Sequence, residues 1–206
     1  PQMILRLEIN YADGTQQVIK SGNDWKYSLS PITFNSIYGG ESYDARLEQT
    51  GCSNAGFDDS HWNSVVITEG PKGRLTPQTV QPVRIMERYG IKSWKRIPAD
   101  SLAAASKATK REIHPSAFVA DMGQNLAGFP EILVTGKRGQ KITMLVAEKL
   151  TPQGACDQKQ TGRQHYYEYT LKGDGQELWH PHFSYYGFQY IQVEGAVLEG
   201  EPNPDG

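Results

Sequence analysis

Leu5-Arg6-Leu7-Glu8-Ile9-Asn10, then Ala12-Asp13-Gly14-Thr15, then Gln17-Val18-Ile19: near its start the chain spells out a β-hairpin. Leu5, Leu7 and Ile9 alternate with Arg6, Glu8 and Asn10, the period at which successive strand side chains face opposite ways. Asp13-Gly14 is the turn, because these residues tolerate the positive φ that tight hairpin connections demand. The same grammar recurs further on. Asn23-Asp24-Trp25-Lys26 reads as a second turn with Trp25 packed under it. In Phe57-Asp58-Asp59-Ser60-His61-Trp62 the acids or the serine can cap backbone amides, while Phe57 and Trp62 bury on either side and lead into Val65-Val66-Ile67. Pro71 to Pro82 should run extended, and Val83-Arg84-Ile85-Met86 alternates again.

Residues 92–115 break this rhythm. Ala99 to Lys107 carries helix-forming alanines after a capping position, and we take the stretch as the boundary between two units, 1–112 and 113–206. Beyond it, Ile132-Leu133-Val134 and Lys141 to Val146 read as a hairpin joined through Gly136 to Gly139. Gln164 to Leu171 is a tyrosine-rich strand, Gly173-Asp174-Gly175 a turn, and Trp179 to Phe183 with Phe188 to Val193 a closing pair around Gly187. Short strands at this spacing suit an all-β chain of β-sandwich modules, two in tandem across that boundary, the first open to being truncated at its start.

Composition agrees: 21 glycines, 12 prolines, 11 tyrosines and 4 tryptophans in 206 residues suit turns and aromatic strands. A net charge of −2 gives no electrostatic case for nucleic acid or an anionic membrane. No apolar run approaches the ~20 residues that span a bilayer. No signal peptide precedes Pro1, and the chain opens almost at once on a strand, as a piece cut from a longer protein would. Cys52 and Cys156 are too few for a zinc site; one disulfide or two free thiols both stay open.

Two polar stretches stand out: Gly40-Glu41-Ser42-Tyr43-Asp44-Ala45-Arg46, and Asp121-Met122-Gly123-Gln124-Asn125-Leu126-Ala127-Gly128. In the first, Glu41, Asp44 and Arg46 combine carboxylates with a guanidinium, groups that form charge-assisted hydrogen bonds to sugar hydroxyls. Glu41 and Asp44 could instead supply oxygens to Ca²⁺, or Asp44 and Arg46 could pair to fix the strand end. In the second, Asp121, Gln124 and Asn125 lie on a tight glycine-flanked path, where they either meet a ligand or neighbouring domain or satisfy backbone groups around a bend. His180 and His182 share a strand face but show no third metal ligand, and the tyrosines serve either as sugar platforms or as half-buried strand residues. Gly-x-Ser-x-Gly, P-loop and dinucleotide fingerprints are all missing. Adjacent Asp58 and Asp59 cannot supply the facing carboxyls, ~6.5–9.5 Å apart, that an inverting glycosidase needs.

The order of motifs resembles the non-catalytic β-sandwich region of bacterial α-L-rhamnosidases, glycoside hydrolase family 78. It runs Trp25-Lys26, Gly40 to Arg46, Phe57 to Trp62, Pro82-Val83-Arg84, Asp121 to Gly128, Ala147-Glu148-Lys149-Leu150 and Pro181 to Tyr190, nearly the whole chain. Gln189 stands where the family pattern suggests Arg, Met122 where Phe is common, and Cys52 where Trp is usual. The resemblance implies a jelly-roll domain engaged in carbohydrate recognition, followed by a concanavalin-like sandwich ahead of an inverting (α/α)6 catalytic barrel. It further implies rhamnose-containing glycans and that barrel as partners, with no cofactor required and calcium open, in a secreted or periplasmic parent protein. The expectation is an accessory recognition and scaffold region without catalysis of its own, or a purely structural spacer.

Overall fold

A computed structural model describes residues 2–70, 72–97, 102, 117–159, 161 and 164–202. Among these the chain is nearly all β. Its strands are β1 (Arg6–Asn10), β2 (Gln16–Lys20), β3 (Lys26–Tyr27), β4 (Ile32–Ser36), β5 (Gly40–Asp44), β6 (Asn63–Ser64), β7 (Ser93–Arg96), β8 (Ala117–Gly128), β9 (Ile132–Thr135), β10 (Lys141–Ala147), β11 (Tyr166–Thr170), β12 (Gln176–Trp179) and β13 (Tyr186–Glu194). The alanine-rich stretch, Leu102 apart, and the 112/113 boundary lie outside the described residues.

One compact unit comprises Pro1–Leu29 and Gln49–Val83. The opening hairpin forms as read, with Arg6 opposite Lys20 and Asn10 opposite Gln16. Asp13 Oδ1 closes its turn by accepting from the Thr15 amide (2.9 Å) and hydroxyl (2.7 Å). β3 pairs with β6, and the Phe57–Trp62 turn sits beside them. There Asp58 Oδ1 accepts from the Ser60 amide (3.0 Å), Lys26 Nζ meets Asp59 Oδ1 (2.8 Å), and the Trp62 indole donates to Gln49 (2.8 Å). Val66 and Ile67 remain exposed, as do Val83 and Met86. Without cross-strand partners their alternation builds no strand.

The second unit comprises Ser30–Glu48 and Arg84–Gly206. A seven-stranded sheet runs β4-β5-β11-β10-β13-β8-β7, and β9 pairs with β12 apart from it. The β4–β5 hairpin, sequence-adjacent to the first unit, thus belongs to the second unit's sheet, where β5 lies parallel to β11. Two pairings differ from the sequence expectation. β9 pairs with β12 rather than β10, and β13 takes β8 and β10 as neighbours rather than the strand around Trp179. The reason is layering. Ile132, Val134 and Trp179 of the β9–β12 pair pack on the main core of Phe118, Ala120, Met122, Ile142, Met144, Val146, Tyr167 and Tyr169, so this pair covers a sheet face instead of extending it. β8 alternates between faces: Phe118, Ala120 and Met122 enter that core, while Ala117 and Val119 join Ile97, Leu102 and Ala155 on the other side.

Candidate functional site

β5 presents the first polar motif. Gly40 opens it at φ +95°, where a Cβ would sit 1.9 Å from the Tyr166 carbonyl oxygen, so only glycine lets β5 lie against β11. Glu41 follows, turned inward and 0% exposed. Its Oε2 accepts from the His182 amide (2.9 Å), the Phe183 amide (3.3 Å) and Asn35 Nδ2 (3.2 Å), and its Oε1 lies 2.8 Å from His182 Nδ1. Both carboxylate oxygens are therefore engaged, tying the β4–β5 hairpin to the loop ahead of β13. A buried carboxylate with this many donors is a structural tie.

Asp44 ends β5 and caps the short 3-10 turn Ala45–Leu47 by accepting from the Arg46 amide (3.1 Å). The Arg46 side chain closes back on it through two bonds, Nε to Oδ1 (2.8 Å) and Nη2 to Oδ2 (2.6 Å). The Arg46 hydrogen bonds hold the Asp44 carboxyl below the usual carboxylate range, and Asp44 in turn raises the Arg46 guanidinium. Glu41 and Asp44 are three apart on a strand and so point to opposite faces; they do not converge on one cation position. Among the described residues no group of three or more His, Cys, Asp or Glu side chains could hold a metal ion.

Tyr43 shares the face of Glu41 and begins a run of rings. It stacks on His182 (centroids 5.6 Å apart) and Tyr169 (5.8 Å), and Tyr169 stacks on Trp179 (5.1 Å). His180 stacks instead on Phe129 at 5.1 Å. The ring run is clamped by acids: the Tyr43 hydroxyl donates to Glu48 (3.1 Å) and the Tyr169 hydroxyl to Glu177 (2.7 Å). Burial is the main cause that pushes both phenol pKa values up. Burial alone would raise the Glu177 carboxyl too, but the Gly173 amide (2.9 Å), the Tyr169 hydroxyl and the Lys172 amide (3.1 Å) outweigh it and hold that carboxyl low.

The second motif forms a bulge. Opposite β13 the register jumps between Phe188, which faces Leu126, and Tyr190, which faces Asp121, so Met122 to Asn125 loop out of the ladder. Gly123 makes the bend at φ +79°. Asp121 Oδ1 stabilises it by accepting from the Gly123 amide (2.7 Å) and from Gln189 Nε2 (3.0 Å). Asn125 donates to Glu148 Oε1 (3.0 Å), and Gln124 is exposed.

The two motifs do not make one site. β11, β10 and β13 separate β5 from β8, about 19 Å at the usual strand spacing. They do share an end of the sheet. Following the registers from Gly40 through Tyr166, Leu145, Gln192 and Val119 shows that the β4–β5 turn, the loop before β13 and the β8 bulge all lie beyond the same ends of these strands. Asn35 and Glu177 escaped the sequence reading because nothing near them marks Glu41 across the hairpin, or the Lys172 and Gly173 amides, as partners, and Glu148 entered it only within a family motif. His182 carried a signal, its pairing with His180, but its actual partner is Glu41, 141 residues away in sequence.

The α-L-rhamnosidase N-terminal domain matches residues 1–87, and the bacterial α-L-rhamnosidase concanavalin-like domain matches residues 111–205. An α-L-rhamnosidase of Streptomyces avermitilis is 34% identical across 98% of this chain, which spans 18% of that relative. The solved α-L-rhamnosidase of Dictyoglomus thermophilum superposes with a TM-score of 0.80 at 32% identity, over 97% of this chain and 21% of the other. The Streptomyces avermitilis α-L-rhamnosidase solved with L-rhamnose gives 0.77 at 33% identity, over 97% of this chain and 18% of the other. Two adjoining domain matches and one fold shared at this identity lead to a single assignment: the chain belongs to the bacterial α-L-rhamnosidase family, of which it carries the N-terminal and concanavalin-like domains.

Proposed function

We propose that this chain is an accessory, non-catalytic region of an α-L-rhamnosidase-like glycoside hydrolase and that its work is architectural: it holds and supports the domain that hydrolyses the glycoside. The observation that carries this reading is the state of its acids. Glu41, Asp44 and Glu177 engage both carboxylate oxygens with partners within the chain, and Asp121 engages its Oδ1. Carboxylates tied up in this way are poorly placed to serve as the facing acid and base of an inverting hydrolase. The matched relatives support it too, since each is a whole α-L-rhamnosidase of which this region is about a fifth. Carbohydrate recognition is the second reading, favoured by the exposed Gln124 amide on the bulge and by the part-exposed Arg46. The test is incubation of the 206-residue chain with an aryl α-L-rhamnoside, beside the Streptomyces avermitilis enzyme as control. The scaffold reading expects no release of aglycone; release that follows the amount of this chain would overturn it.

A further inference from the structure

The sheet end shared by both motifs carries a second signal. Ile37 (63% exposed) and Tyr38 (73%) sit at the β4–β5 turn, and Phe183 (66%) and Tyr185 (54%) lie in the loop before β13. The two segments are neighbours, since Glu41 next to that turn accepts from the His182 and Phe183 amides. Both are free of formal charge: Leu29 to Gly40 and Leu178 to Val193 contain no Asp, Glu, Lys or Arg, in a chain that is 21% charged. Exposed aromatic side chains in a charge-depleted patch, with amides at its margin, have the composition of an interface core and rim. The margin here is the bulge, with exposed Gln124 and the Asn125–Glu148 hydrogen bond.

Resting on the scaffold reading above, we infer that this sheet end is the docking surface for the rest of an α-L-rhamnosidase polypeptide, through an uncharged, aromatic-rich contact centred on Tyr38, Phe183 and Tyr185. The occupant follows from length. This chain spans 18% and 21% of the relatives it matches, so about four-fifths of each of those polypeptides lies outside the matched region and is tethered beside it in the same chain. The fold also explains why the patch is held so firmly. Glu41 fixes the loop, and the aromatic run from Trp179 to His182 stiffens it, so the exposed rings are presented with little ordering left to lose on docking.

The inference is tested in two steps. In the 206-residue chain, Phe183→Ser with Tyr185→Ser should leave the thermal midpoint within about 2 °C, as surface substitutions do. A larger fall would place these rings in the fold's own core and overturn the inference. Hydroxyl-radical footprinting then compares this chain with a chimera in which it replaces the aligned region of the Streptomyces avermitilis enzyme. Oxidation of Tyr38, Phe183 and Tyr185 should drop about fivefold or more in the chimera, as burial in a standard-sized interface implies, while Tyr11 and Tyr89 react as before. Equal reactivity in an active chimera overturns the docking surface and leaves the scaffold reading standing. Dimerisation of the isolated chain that the double variant abolishes would assign the patch to a second copy, again overturning it. Rhamnoside hydrolysis by the isolated chain would instead remove the scaffold reading, whatever the footprint shows.

Discussion

Replacing Glu41 by alanine is the sharpest perturbation the structure offers. The side chain is 0% exposed and receives the His182 amide, the Phe183 amide, Asn35 Nδ2 and the His182 ring. Asn35 and the His182 ring can turn towards water, since His182 is 40% exposed at its side chain. The two backbone amides cannot leave without moving the loop. Each stranded donor costs about 1–3 kcal/mol, so two stranded amides imply a loss near 4 kcal/mol. With a urea dependence of about 2 kcal/mol per molar, the midpoint of the second unit should fall by about 2 M. Hydrogen exchange at the His182 and Phe183 amides should quicken in step. Glu41→Gln keeps one acceptor oxygen but turns an NH₂ towards donors, and should fall between wild type and alanine. A loss below about 1 kcal/mol, the value of an exposed ion pair, would refute the view that Glu41 ties the hairpin to the loop.

Other expectations follow from the same geometry. Gly40→Ala meets both a positive φ and the Tyr166 carbonyl, and should cost at least about 2 kcal/mol and loosen β5 from β11, seen as faster exchange of the β11 amides. Glu177 has a folded pKa below its unfolded value, so its contribution is complete above the ordinary carboxylate value of about 4.3 and disappears as pH falls through the folded value. Glu177→Gln should therefore flatten the acid limb of the stability curve below that pH, and an unchanged limb would contradict the assignment. Cys52 is exposed, whereas burial pushes the Cys156 thiol up to about 12; both are free. Iodoacetamide at neutral pH should label Cys52 alone in the native chain and both after denaturation.

Local grammar was legible and long-range pairing was not. The Asp13-Gly14 hairpin and the Asp58 cap depend on neighbours in sequence, and both formed where the residues said. The second motif carried its meaning in part: Asp-x-Gly marks a bend, and Asp121 caps the Gly123 amide. The place of the β4–β5 hairpin could not be read, because nothing near Gly40 announces a parallel partner at Tyr166. β9 and β10 are close in sequence and joined through a glycine-bounded turn, yet the need to cover the sheet face sent β9 to β12. Glu41 looked like a ligand for sugar or calcium because sequence shows its charge and hides its burial. Asn35 is a near neighbour across the hairpin, but the two backbone amides that occupy it come from residues more than 140 positions away.

Calorimetric titration of L-rhamnose into the 206-residue chain, with and without Ca²⁺, tests most directly whether these motifs hold the fold or hold a sugar. With the carboxylates engaged internally, no saturable heat is predicted at millimolar sugar in either condition, corresponding to a binding free energy weaker than about −4 kcal/mol. Saturable one-to-one heat, above all heat that requires Ca²⁺ and vanishes in Asp44→Ala, would contradict the account and make the chain a sugar-binding module.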